Sequence, residues 1–318
     1  MSTDRITQSL TRRTENSSRE LLARLFFFIC ALLSIITTVG IVLLLLNESL
    51  RFFSETAGLL GVSGETTSLF KFFTGTQWRP SNGQFGVLAP LSGTLQVTIG
   101  SAIVALPLGT ATALYLSEYA SQRTRSVLKP TLEILAGVPT VVYGFFALIY
   151  ITPLLEPIFH VQFFNMMSAG IVVGIMIIPM VASISEDAMS AVPDDLRQAG
   201  YGMGATKFDV SVGIVIPASI SGILSSYILA LSRAIGETMA VVVAAGSVSF
   251  LRNPINPFGY TQPNMPMTAA IVHSLTGDFA GGGLAYRSAF AVGLTLFAIT
   301  LVMNVVSDLI TERYREEY

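Results

Sequence analysis

Metal-binding side chains and charge are both scarce in this chain, and each scarcity excludes something. A single cysteine, Cys30, leaves no internal disulfide framework and no cysteine-cluster metal site. Two histidines, His160 and His273, are too few and too far apart in sequence for a protein-built zinc centre. Charged residues make up 12% of the 318 positions, against about 25% in soluble domains. Such a chain lacks the Lys, Glu, Arg and Asp that cover a soluble enzyme. It also lacks the high net charge of a disordered one. With 18 basic and 20 acidic residues the net charge is −2, which gives no footprint for a nucleic-acid partner.

Nucleotide and hydrolytic motifs are missing too. The dipeptide Gly-Lys does not occur, so there is no phosphate-binding P-loop, and the chain by itself does no ATP chemistry. Gly200, Gly202 and Gly204 begin a dinucleotide-like pattern, but Lys207 stands where its third glycine belongs and no strand precedes it. There is no His-Glu-x-x-His, and both histidines fall in loops on the outer side. A membrane hydrolase has no positive support.

What is present is hydrophobicity: 52% apolar residues and a mean hydropathy of +0.65. A spanning helix needs about 20 mainly apolar residues. Runs of that kind lie at about 21–46, 88–116, 131–155, 167–186, 212–246 and 286–309. None alternates with the short period of a membrane β-strand. The expected architecture is therefore an all-α integral membrane protein with six spans, flanked by segments 1–20 and 313–318. The first run is too long for a cleavable signal peptide. The fifth exceeds what a bilayer requires and must tilt or extend beyond it.

Basic residues set the orientation. Arg5, Arg12, Arg13, Arg19 and Arg24 precede or begin span 1, and Arg123, Arg125 and Lys129 lie between spans 2 and 3. Arg197 and Lys207 lie between spans 4 and 5, and Arg313 and Arg315 follow span 6. The opposite side carries only Arg51, Lys71, Arg79, Arg252 and Arg287, in longer loops. Both termini are accordingly expected in the cytoplasm. The outer loops, 47–87 and 247–285, either cover helix ends or dock an extracytoplasmic partner. Within them Ser49–Phe53 and Ser68–Phe73 read as short amphipathic pieces, and Asn253–Pro266 as irregular.

Residues 186–217 form the most patterned loop. Pro193, Asp194 and Asp195 suit a helix start, since proline fits the first turn and carboxylates favour the positive end of the helix dipole. Leu196, Ala199, Gly200 and Met203 recur with helical spacing. Gly202 and Gly204 then allow a corner before a second short helix leading to Pro217. The spacing Gln198-Ala199-Gly200, three residues, Gly204, nine residues, Ile214-Val215-Ile216-Pro217 resembles the cytoplasmic loop of ABC importer permeases. In that family the pattern is Glu-Ala-Ala, three residues, Gly, nine residues, Ile-x-Leu-Pro. The resemblance implies a loop that inserts into a cleft of an ATPase subunit. Gln198, Gly200 and Ile216 depart from the pattern, and Gln198 removes a carboxylate.

Arg233 and Glu237 lie inside the fifth apolar run. An ionised group at the bilayer centre costs at least about 2.5–3.5 kcal/mol, so each must be paired or face a polar cavity. At i, i+4 they share a helix face. One reading is a self-satisfied ion pair. The other is a pair lining a translocation path, with the guanidinium fork suited to an oxyanion and Glu237 neutralising it between cycles.

The words around the pair, Arg233-Ala234-Ile235-Gly236-Glu237-Thr238-Met239-Ala240-Val241, resemble the PstC type of permease of the phosphate-specific (Pst) ABC importers. Leu116–Ala120, Glu133–Gly144 and Gly83–Gly86 agree, so the resemblance runs over about residues 20–312. It implies a type I ABC importer permease of the bacterial inner membrane that is not itself an enzyme. Arg233 and Glu237 would be its transport-linked residues. It further implies a second, PstA-like permease, two PstB-like ATPase subunits that bind ATP and Mg, and an extracytoplasmic PstS-like phosphate-binding protein. A permease for another oxyanion, or a secondary transporter, are the alternatives.

Smaller signals complete the inventory. Glu118 and Glu133 read as interface anchors near Arg123, Arg125 and Lys129. Pro107, Pro139 and Pro179 interrupt spans 2, 3 and 4. Thr94, Gln96 and Thr98 form a polar stripe that lines a cavity or bonds a neighbour.

Overall fold

The computed structural model describes residues 17–58, 69–276 and 283–313. Arg5, Arg12, Arg13, Ser68 and Arg315 lie outside these. Two units divide the chain, one ending at Glu48 and one beginning at Ser49. Helix α1, Ser17–Gly58, carries the first apolar run, and its side chains from Leu21 to Leu46 are largely exposed, as a lipid-facing helix requires. Cys30 is among the exposed ones.

In the second unit the long apolar helices are α3 (Leu88–Tyr119), α5 (Thr140–Phe159), α6 (Met166–Ser190) and α12 (Leu284–Arg313). The short helix α2, Leu69–Thr74, precedes them, and α4, Gln122–Ala136, lies between α3 and α5. A bent pair, α8 (Lys207–Ala218) and α9 (Ile220–Ile235), meets at 69°. With that pair as one span, six segments among the described residues are long and apolar enough to cross a membrane.

Helix boundaries depart from the apolar runs in two places. The run 131–155 is two helices: α4 ends at Ala136, where the Gly137 amide donates to the carbonyls of Glu133 and Ile134 and the Val138 amide to that of Leu135. Proline disfavours the helical conformation in the residue before it, and Pro139 is itself extended, so α5 restarts at Thr140. The amphipathic α4 thereby keeps Arg123, Arg125 and Lys129 off the span. The run 212–246 is also divided. It bends at Ser219, after Pro217, and breaks again at Gly236 before α10, Met239–Ala244. Its excess length accommodates a bend and a break.

Helices α3 and α6 form the centre. Glycines let their backbones touch: a Cβ on Gly100 would lie 3.3 Å from the Gly170 Cα, and one on Gly174 would lie 3.0 Å from the Ser101 carbonyl oxygen. Small residues at such crossings replace the hydrophobic drive that lipid does not supply. Val172, Val173 and Ile177 of α6 are fully buried, with Tyr143, Ala234 and Ala244 from neighbouring helices beside them.

The end opposite loop 186–217 is closed by ordered chain. Phe52, Phe72, Trp78 and Phe85 pack edge to face, with centroids 5.2–6.1 Å apart. A two-residue hairpin, β1 (Trp78–Arg79) with β2 (Gln84–Phe85), turns at Gly83, whose φ is +71°. The polar stripe of α3 holds the loop that follows α10. Thr94 accepts from the Met267 amide at 2.9 Å, and Gln96 Oε1 from Asn264 Nδ2 at 2.8 Å. The Thr98 hydroxyl donates to the Thr94 carbonyl of its own helix. Asn253–Pro266 is mostly irregular, with a short 3₁₀ turn at Pro257–Thr261. Tyr260 donates to the Pro254 carbonyl there, and burial raises its phenol above the usual value. Helix α11, Met267–Leu275, then leads to α12.

Candidate functional site

Loop 186–217 folds as two helices around a corner. Helix α7, Asp194–Gly202, starts on the extended Pro193 with Asp194 and Asp195 in its first turn. The corner turns at Gly204, whose φ of +85° suits glycine. Thr206 and Asp209 then form a capping box at the start of α8. The Asp209 carboxyl accepts from the Thr206 hydroxyl at 2.6 Å and its amide at 3.0 Å, which holds its pKa below the ordinary 3.8.

Gly200 is the contact point between the two helices. A Cβ there would sit 2.7 Å from Ile214 Cδ1 and 2.9 Å from Val210 Cγ2. The glycine is therefore what lets α7 lie on α8, and it explains one departure from the alanine of the permease pattern. Leu196 and Gly200 face inward as the periodicity predicts, whereas Ala199 and Met203 do not. Met203 lies past the end of α7 and is 82% exposed. Gln198, Ala199 and Gly204 are surface residues, and Pro217 is exposed at the bend. With Phe208, 64% exposed, Met203 gives the knob an apolar outer surface.

Two contacts bind the knob to the end of α3. Arg197 donates to Glu118 at 3.0 Å, with the two side chains 13% and 5% exposed. Arg197 also donates to the carbonyls of Met189, at 2.8 Å, and Val192, and pairs with Asp194 at 3.2 Å. The Lys207 ammonium lies 5.0 Å from the centre of the Tyr119 ring. Glu118 is thus an anchor, as expected, but its partner is Arg197 rather than Arg123, Arg125 or Lys129.

Arg125 and Lys129 hold a carboxylate that the apolar runs did not single out. Glu186, near the end of α6, is fully buried and accepts from both, the Lys129 contact being 2.7 Å. Lys129 also reaches Asp187 at 3.2 Å. A cavity of about 310 Å³ opens beside this cluster, lined by Leu116, Lys129, Glu133, Ser183, Glu186 and Arg233 among others.

Arg233 faces that cavity from the last turn of α9 and, among the described residues, has no carboxylate within ion-pair distance. The expected i, i+4 contact with Glu237 is absent, because α9 ends at Ile235 and the chain leaves the helical path at Gly236. Glu237 is buried and turns to the next helix instead. Its Oε1 accepts from the Ala240 amide at 3.1 Å, and its carbonyl accepts from the Thr268 hydroxyl at 2.8 Å. The arrangement leaves the exposed Arg233 guanidinium at the wall of an open cavity, with no carboxylate within ion-pair distance among the described residues.

A helical membrane bundle with a corner-shaped loop strapped to its base defines an ABC importer permease of type I. Residues 105–316 match the family of binding-protein-dependent transport system inner membrane components, and the chain belongs to it. Particular relatives sharpen the placement. The chain is 30% identical over 312 residues to the probable ABC transporter permease protein YqgH of Bacillus subtilis, covering 96% of this chain and 94% of that one. It is 32% identical over 263 residues to the phosphate transport system permease protein PstC of Xylella fastidiosa, covering 76% and 78%. Among solved structures, a chain of a bacterial alginate ABC transporter bound to its alginate-loaded periplasmic protein superposes with a TM-score of 0.63. That match is at 15% identity over 93% of this chain and 96% of that one. A chain of the inward-facing MetNI methionine transporter gives 0.54 at 15%, over 76% and 100%. These two share the fold.

Proposed function

We propose that this chain is a permease subunit for inorganic phosphate in the bacterial cytoplasmic membrane, and that Arg233 lines the path. The observation that carries this reading is the Arg233 guanidinium at the cavity wall, without a carboxylate partner among the described residues. A planar, permanently charged fork suits a tetrahedral oxyanion. The similarity to PstC phosphate permeases supports phosphate within that class.

In this reading six spans run between cytoplasmic termini, and a second, PstA-like permease completes the path. Two PstB-like ATPase subunits bind ATP and Mg and press on the knob formed by Gln198, Ala199, Gly200 and Gly204. Ile214 supports it from behind, and Pro217 sits at the bend through which movement passes. A PstS-like binding protein delivers phosphate from outside. This chain performs no covalent chemistry; it exposes the Arg233 region first to one side and then to the other. Glu237 acts at the break that frees Arg233, by starting α10 on the far side of Gly236.

The test is phosphate uptake by the assembled importer in vesicles carrying Arg233→Ala, with assembly verified by co-purification. Uptake should fall to background, and sulfate or molybdate in excess should not compete with phosphate in the wild type. Undiminished uptake by the variant would remove Arg233 from the path. Strong competition by sulfate would favour a permease for a different oxyanion.

A further inference from the structure

The cavity beside Arg233 holds a second cation, and the helix register places the two at different depths. The hydroxyls of Ser185 on α6 and Ser226 on α9 are 2.8 Å apart and mark a common level. Arg233 follows Ser226 by seven residues, and Glu186 follows Ser185 by one in the opposite direction. At about 1.5 Å per residue, the Arg233 backbone is about 12 Å from the level of Glu186 along the helix axes, on the side away from α7. Lys129 is bonded to Glu186 and lines the same cavity. Arg233 and Lys129 therefore bracket one void along its length, with the Ser183 hydroxyl on the wall of the same void.

Lys129 pairs with Glu186 at 2.7 Å and with Asp187 at 3.2 Å, and Glu186 keeps a second cation if Lys129 turns away. A fully buried carboxylate stripped of its only cation costs several kcal/mol. Glu186 has two: Arg125 on Oε1 and Lys129 on Oε2, with the Ser190 hydroxyl also donating to Oε1 at 3.3 Å. When the Lys129 ammonium turns away, Arg125 and Ser190 keep Glu186 paired. Lys129 is also one-third exposed, and its compact ammonium on a flexible stem can swing where a forked guanidinium would hold its partner. Glu133, four residues on along α4, lines the cavity and among the described residues has no cation within ion-pair distance. Its negative charge opposes long retention of an anion there.

We infer that Lys129 is the second cationic contact of the transported oxyanion, which leaves Arg233 and takes the place of Glu186 at the Lys129 ammonium before release. The inference rests on the oxyanion-path reading above. No covalent step is involved.

The experiment measures phosphate moved per ATP hydrolysed by the complete importer in proteoliposomes, with Lys129→Gln, Lys129→Gln/Glu186→Gln and Lys129→Arg compared. Lys129→Gln leaves Glu186 paired with Arg125, so it removes the cation without orphaning the buried carboxylate; the double variant also removes the carboxylate that the oxyanion would replace. The ratio should fall about tenfold in both variants without the cation and stay within about twofold for Lys129→Arg, tenfold being about 1.4 kcal/mol. A double variant with the wild-type ratio overturns the inference. A second arm avoids folding effects: Lys129→Cys in a Cys30→Ser background is assembled first and then modified. An aminoethyl thiosulfonate should restore the ratio and an uncharged methyl one should not; equal outcomes overturn the inference. Wild-type importer that moves sulfate instead of phosphate defeats the phosphate reading alone, and the same ratios are then read with sulfate. Wild type that moves neither anion defeats both.

Discussion

The guanidinium of Arg197 lies 3.0 Å from the carboxylate of Glu118, joining the knob helix to the end of α3. Both side chains are nearly buried, and the same guanidinium donates to the Met189 carbonyl near the end of α6. One residue of the loop thus touches two central helices. In the proposed coupling, a push on the knob reaches α3 and α6 together.

Removing one side of that pair should be more damaging than removing both. Arg197→Ala leaves Glu118 buried without its cation and should destabilise the chain by about 3–5 kcal/mol. Replacing both, as Arg197→Met/Glu118→Leu, should recover much of that loss. Thermal unfolding in detergent measures the two. A single variant as stable as the wild type would mean that the pair does not hold the knob.

The corner glycines should respond to different remedies. Gly204→Ala forces a Cβ into the left-handed region at a cost of about 1 kcal/mol, whereas Gly204→Asn should cost less. Gly200→Ala pushes a methyl against Ile214 and should cost about 1–3 kcal/mol by overpacking. Adding Ile214→Val removes the nearer clashing atom and should restore part of it. Thermal midpoints of the four variants decide this; no recovery from the Ile214 change would place the strain elsewhere.

On the opposite end, Asn264 is the peg of the α3 clamp. It is fully buried, accepts from the Phe250 and Met265 amides, and donates to Gln96. Asn264→Ala orphans these groups and should cost about 1–3 kcal/mol. The specific sign is faster amide hydrogen exchange at Phe250 with unchanged exchange in α6. Uniform acceleration across the bundle would instead indicate global destabilisation.

The capping box carries a pH dependence with a definite sign. Thr206 lowers the Asp209 pKa below 3.8, so the charged form is favoured in the folded state. Its stabilising contribution is present above the unfolded value and is lost as pH falls through the lowered folded value. Asp209→Asn still accepts a hydrogen bond but does not titrate. Between pH 5 and about pH 3 the wild type should lose more thermal stability than this variant. Parallel pH profiles would show that Asp209 contributes nothing through its charge.

Much of the loop site was legible because it is local. Pro193, the aspartates after it, Gly204 and the spacing to Pro217 describe a helix, a corner and a helix within 25 residues. Backbone preferences of that kind act over a few positions. The outward turn of Met203 was missed for the same local reason, since α7 stops at Gly202 and the 3.6-residue period no longer applies. Arg233 was legible from its cost: a cation in an apolar run must face something polar. Its separation from Glu237 was not, because i, i+4 spacing assumes an unbroken helix, and Gly236 ends this one.

By itself the sequence determined that the chain belongs in a membrane, where its apolar segments lie, and which residues turn its loop. Those properties follow from composition, run length and short-range backbone chemistry. Tertiary structure alone decided the partnerships: Glu118 with Arg197, Glu186 with Arg125 and Lys129, and Gln96 with Asn264. These pairs are separated by 57 to 168 residues. A buried charge or amide must find a partner, but which one it finds depends on how the helices stack, and no pattern along the chain records that.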